Sequence, residues 1–108
     1  MPPHIRPCPE GMKNDENKLL WHLLPAKEIE EVVKVLTHGA QKYADNNWQI
    51  VIAENPKRYE DAMLRHISDW RKGEMYDEDS GCHHLASVAC NALFLLWWHN
   101  QVFKKGEK

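Results

Sequence analysis

The stretch "NPKRYEDAMLRHISDWRKG", Asn55 to Gly73, decides the fold class. Asn55 is a natural N-cap, and Pro56 suits the first helical position, where its missing N–H costs no helical hydrogen bond. Tyr59, Met63, His66, Ile67 and Trp70 then recur at i, i+4, i+7, i+8 and i+11, the stripe of an amphipathic helix. Gly73 ends it, because glycine accepts the left-handed conformation that a helix C-terminus needs.

Working outward from that helix, the same period appears on both sides. Upstream, Ile29, Val32, Val33 and Leu36 predict a helix over Pro25–Tyr43, with Gly39 bending or ending it. "KLLWHLLP" (Lys18–Pro25) reads as an apolar connector. "ADNNWQIVIAEN" (Ala44–Asn55) reads as a loop or a short extended piece, whose "IVI" has no partner strand. Downstream, Ser80 is placed to cap a third helix from about Gly81 to Phe103. Its segment Ala92–Trp98 is apolar all round, more than one small monomer covers. The expectation is an all-α fold, a helical bundle of three main helices completed by oligomerisation as a homodimer or homotetramer. Residues 1–17 form an irregular Pro-rich arm, and 18–108 the helical domain.

At 108 residues the chain is one domain. Apolar residues make up 43% and charged residues 28%, which argues against disorder. The net charge is -2 and the isoelectric point about 6.4, so there is no basic field to hold duplex nucleic acid. A small anion bridged by a metal remains compatible with that balance. "MPPHIRPCPEG" lacks the apolar core of a signal peptide. Leu85–Trp98, at 14 residues, falls short of the ~18–20 of a membrane span. Three cysteines, Cys8, Cys82 and Cys90, are odd in number and suit a reducing cytoplasm.

The residues able to do chemistry fall into three sets. Glu28 and Glu31 share one helix face and either hold a hard divalent cation or offset the helix dipole. Glu74 and Asp77 repeat that spacing just past Gly73. Two helix ends meeting at the loop would bring them to His66 and His84. A mixed carboxylate–imidazole set suits Mg²⁺, Mn²⁺ or a similar ion. The plain alternative is a hydrogen-bonded core histidine beside turn-shaping acids, with Asp77, Asp79 and Ser80 capping the next helix. A zinc site from Cys82, His83, Cys90 and Cys8 lacks the paired spacing of closed sites, and nothing beyond its helix-start position marks Cys82 as a nucleophile. In "HGAQKYADNNW" (His38–Trp48), Lys42 offers a charge for phosphate. Asn46 and Asn47 offer amides, and Tyr43 or Trp48 offers a stacking face. An ordinary helix C-terminus reads the same way.

Four segments together resemble a known family: "KNDENKLLWHLLP", "EEVVKVLTHGAQKYADNNW", "RHISDWRKGEMYDEDSG" and "HHLASVACNALFLL". They look like the phage dATP/dGTP diphosphohydrolases, the MazZ-like group, over roughly residues 13–97. The ordered series G-A-x-K-Y, N-W, R-H, G-E-x-x-D-x-x-S-G and H-L is specific in combination. The resemblance implies a MazG-like, all-α nucleoside-triphosphate pyrophosphohydrolase, Mg²⁺- or Mn²⁺-dependent and oligomeric. Such an enzyme releases a nucleoside monophosphate and pyrophosphate. The superfamily's E-x-x-E and E-x-x-D pattern falls on Glu28, Glu31, Glu74 and Asp77.

On that expectation these four acids, with His66 and His84, hold the metal. Glu31 serves as base, Glu74 is catalytic, and Lys42 and Arg65 clamp phosphate oxygens. Asn47, Trp48 and Asn91 contact the nucleoside. Two rivals stand beside it. One is a non-enzymatic helical interaction module with Trp97 and Trp98 as its surface. The other is an HD-like metal phosphohydrolase using His66, His83 or His84 with Asp77, which would release triphosphate or inorganic phosphate.

Overall fold

A computed structural model describes residues 17–103. The arm expected over residues 1–17 falls, apart from Asn17, outside the described residues. Among these, the chain forms a short 3-10 turn, Trp21–Leu23, and four α-helices. They are α1 (Ala26–Lys42), α2 (Asn47–Glu54), α3 (Lys57–Arg71) and α4 (His84–Val102). The all-α reading holds, and α4 is the central element, packing on α3 most extensively and also on α1 and α2.

Three helices stand close to where periodicity puts them, and the fourth is a correction. The segment read as a loop or extended piece is helix α2. Asn46 adopts the left-handed conformation (φ 59°), which Asn tolerates, and so turns the chain out of α1. With no strand among the described residues to pair with, the backbone groups of "IVI" are satisfied within a helix, ending with Asn55 N–H donating to Val51 O at 3.0 Å. Ile52 is fully buried as a result. Pro56 is the N-cap of α3, so the helix starts at Lys57, one residue later than expected. The third long helix begins at His84, not Gly81, for a reason that belongs to the site.

Among the described residues, the buried apolar side chains are Val32, Ile52, Ala86 and Cys90, a small core. Three polar residues of α4, His84, Ser87 and Asn91, are buried beside them. Leu93 and Leu96, in the segment expected to exceed what one monomer covers, are 51% and 56% exposed. Trp70, the last member of the α3 stripe, is also exposed. No helix among the described residues is long and apolar enough to cross a membrane.

Candidate metal centre and nucleotide cleft

The site is built at the junction of α3 and α4. Gly73 (φ 101°) closes α3 with a paired motif. Its N–H donates to Trp70 O at 2.9 Å, and Glu74 N–H donates to Asp69 O at 3.1 Å. This is the Schellman arrangement, for which glycine is the favoured residue. The chain then folds back on itself. Asp77 N–H donates to Cys82 O (2.8 Å) and His84 N–H to Met75 O (2.9 Å), flanking a single bridge between Tyr76 and His83. That pairing keeps residues 82 and 83 extended, so α4 cannot start until His84. The expected Ser80 cap is therefore replaced. His83 is the N-cap, its Nδ1 accepting from Leu85 N–H at 3.0 Å. Ser80 instead fastens Asp77, donating to its Oδ2 from backbone N–H (2.9 Å) and hydroxyl (3.1 Å).

His66 projects from α3 toward the same point. Its Nδ1 lies 2.8 Å from the Nδ1 of His84, so one ring donates and the other accepts. His66, Asp77 and His84 each offer a ligand atom within 4.8 Å of the others. Burial pulls the His66 imidazole below its ordinary value against the opposing charge of Asp77, so the ring is neutral at pH 7. Burial pushes the Asp77 carboxyl up, but the two Ser80 hydrogen bonds and the histidines outweigh it, and the group is held below the usual range. A neutral imidazole and an ionised carboxylate are what a divalent ion requires of its ligands. His84 is 2% exposed, and its Nε2 has no hydrogen-bond partner. Glu74 Oε1, at 3.8 Å, is within ion-pair range but beyond hydrogen-bonding distance. An orphaned buried polar atom costs about 1–3 kcal/mol, so the fold tolerates at this point a group that a ligand would satisfy. The donor set fits a divalent cation.

Beside this junction opens a cleft of about 680 Å³, within the usual range for small-molecule sites. His66 and Asp77 line it, as do Lys42, Asn47, Trp48, Arg65 and Asn91. Its aromatic wall is Trp48 stacked on Phe94 (centroids 4.2 Å, 15°), with Tyr59 edge-on to Phe94 at 5.3 Å. Asn91 Nδ2 donates to Ser87 O at 2.8 Å, which fixes the amide and leaves its oxygen as an acceptor. Across the mouth, Lys42 Nζ reaches Asp79 Oδ2 at 3.1 Å, with His38 Nε2 at 3.4 Å. Basic groups, an aromatic wall and a cation-ready corner thus share one cleft.

The sequence matches, over residues 9–108, the family described as dATP/dGTP diphosphohydrolase, N-terminal. The chain belongs to that family. A curated relative, a dATP/dGTP diphosphohydrolase of Salmonella phage PMBT28, is 37% identical over 90 residues. The match covers 83% of this chain and 30% of the relative, so the chain spans less than a third of that protein's length. No solved structure matches the chain.

Within this diphosphohydrolase-family domain, the residues picked out from sequence are distributed unevenly. His66, Asp77 and His84 come together, and Lys42, Asn47, Trp48, Arg65 and Asn91 line the adjoining cleft. Glu74 lies behind His84 with Asp69 and does not line the cleft. Glu28 is exposed and Glu31 half-buried on α1. Within one chain neither acid lines the cleft or joins a converging ligand group among the described residues. Sequence reasoning missed Asp69, Arg58 and His38. Asp69 had a usable signal, since it stands four residues before the helix-ending glycine, where the Schellman bond carries Glu74 back to it. The partnership of His38 and Lys42 with Asp79 spans 41 and 37 residues and left no local trace.

Proposed function

We propose that this domain binds a purine deoxynucleoside triphosphate in the cleft and takes part in its metal-dependent hydrolysis to nucleoside monophosphate and pyrophosphate. The observation carrying the reading is the junction of a cation-ready corner, His66–Asp77–His84, with a cleft that has both basic groups and an aromatic wall. The name of the phage relative, dATP/dGTP diphosphohydrolase, supports the substrate class.

Lys42 and Arg65 hold phosphate oxygens, Lys42 exchanging Asp79 for the ligand. Asn47 and the fixed acceptor of Asn91 meet the polar edge of the base, and Trp48 offers it a flat face. Mg²⁺ or Mn²⁺ on Asp77, His66 and His84 would supply charge neutralisation for the triphosphate and acidify the attacking water. Asp77 keeps its carboxylate aimed because Ser80 holds one of its oxygens. The α1 acids, Glu28 and Glu31, enter this scheme only from a second copy of the chain. The exposed Leu93 and Leu96 favour such a copy, in a dimer or tetramer.

One observation favours a second reading. Two histidines and an aspartate make a ligand set closer to HD-like phosphohydrolases, which would release triphosphate or inorganic phosphate. Incubation with dGTP or dATP and Mg²⁺ or Mn²⁺, with the products identified by ³¹P NMR, separates the two. Pyrophosphate supports the first reading, and triphosphate or inorganic phosphate the second. Absence of both turnover and nucleotide binding leaves a helical interaction module.

A further inference from the structure

The imidazole of His84 has two nitrogens, and only Nδ1 meets His66. The other, Nε2, lies toward Glu74, and none of Asp69, Glu74 and His84 lines the cleft. We propose that Asp69, Glu74 and His84 Nε2 form a second divalent-cation site, outside the cleft, at the seam where α3 ends and α4 begins. This site does not depend on the chain hydrolysing a nucleotide.

Backbone hydrogen bonds assemble it before any ion arrives. Glu74 N–H bonded to Asp69 O brings two carboxylates to the end of α3, and His84 N–H bonded to Met75 O sets the imidazole against them. Their ligand atoms lie within 4.8 Å of one another. An ion with ~2.1 Å bonds spans about 4.2 Å between opposite ligands, so a small rotation of the exposed Glu74 side chain completes the fit.

Acidic pairs at a helix end are commonplace and would mean little alone. What sets this one apart is a 2% exposed imidazole whose Nε2 has no partner and points at the acids. A ligating histidine donates its other ring N–H to an acceptor, which fixes its tautomer. Here an acceptor stands at hand: with the proton on His84 Nδ1 donated to His66 Nδ1, 2.8 Å away, a lone pair is left on Nε2 for the ion. One imidazole with two carboxylates balances a divalent charge and suits Mn²⁺, Co²⁺ or Zn²⁺ over all-oxygen ions such as Ca²⁺. The competing cation is Lys72, whose Nζ is 3.9 Å from Asp69 Oδ1 and whose side chain is 66% exposed. Such a pair is readily displaced. An ion at the seam would clip the loop to the helix end and hold the proton on His84 Nδ1, leaving His66 and Asp77 as this chain's ligands for a cation on the cleft side.

The test uses the whole chain, stripped with chelator and titrated with Zn²⁺. In the ¹⁵N-labelled wild type, Zn²⁺ should shift the Nε2 resonance of His84 while Nδ1 stays protonated. By calorimetry, Asp69→Asn and Glu74→Gln should each weaken one class of Zn²⁺ binding at least about 10-fold. Asp77→Asn should leave that class in place. An unmoved His84 Nε2 at saturating Zn²⁺ would overturn the proposal without requiring any variant to fold. So would wild-type Zn²⁺ binding in Asp69→Asn and Glu74→Gln, or loss of all binding in Asp77→Asn alone. The nucleotide reading stands or falls separately, on ³¹P products.

Discussion

Two acid pairs in this chain share one spacing and differ in everything else. Glu28 and Glu31 sit on the first turns of a regular helix, where their direction is set by helical geometry alone. Glu74 and Asp77 sit in a loop whose backbone is fastened at both ends by hydrogen bonds, next to a buried imidazole. Asp77 has two donors from Ser80 on one oxygen, and its carboxyl is held ionised. The lesson is that spacing puts acids on a face, whereas a ligand set needs neighbours that hold each oxygen in place.

The comparison can be broken in several ways, the largest first. Asp77→Asn should cut metal affinity at the cleft corner and any metal-dependent turnover on the order of 100-fold or more, measured by calorimetry and product release. A mild loss would mean the loop acids matter no more than those of α1. Gly73→Ala tests the fastening itself. Nothing within 4 Å opposes an added Cβ, so the cost is the positive φ of 101°, about 1–2 kcal/mol, read as a lower melting temperature. An unchanged melting temperature would show that the junction does not need its glycine.

Acid should distinguish the two regions as well. The folded value of His66 lies below its ordinary 6.5, so the fold favours the neutral ring. That contribution is present in full above about 6.5 and is lost as pH falls from there to the folded value. Asp77, depressed from 3.8, adds a second loss below that point. Metal-free melts should therefore weaken in two steps, and His66→Gln should remove the first. The smallest effect belongs to Glu31→Gln. In one chain it should leave metal binding unchanged and stability within about 0.5 kcal/mol. Lost turnover in that variant would sharpen the comparison differently, by bringing α1 of one copy to the junction of another.

Much of this was legible from local chemistry. The α3 stripe, the Asn55-Pro56 start and the Gly73 stop depend on residues within a few positions of each other, and each stands close to where those residues indicate. The segment around Ile52 was not legible, because "IVI" has the same composition in a strand and in a short buried helix. Periodicity over three residues cannot tell them apart. The start of α4 was misplaced for a different reason. Ser80 is a good cap in isolation, but its Oγ accepts from Cys82 N–H ahead of the helix, and backbone pairing across 75–84 keeps residues 82 and 83 extended.

By itself, then, the sequence determined the three long helices, the ends of α3, the family and the residue types available for an ion, since these follow from neighbours along the chain. Only the tertiary structure decided which of those residues meet. His66 and His84 are 18 residues apart, and Lys42 and Asp79 are 37 apart. Contacts over such distances are set by how α4 packs on α1 and α3. That packing turned one acid pair into a neighbour of the His66–His84 imidazoles and left the other away from the cleft.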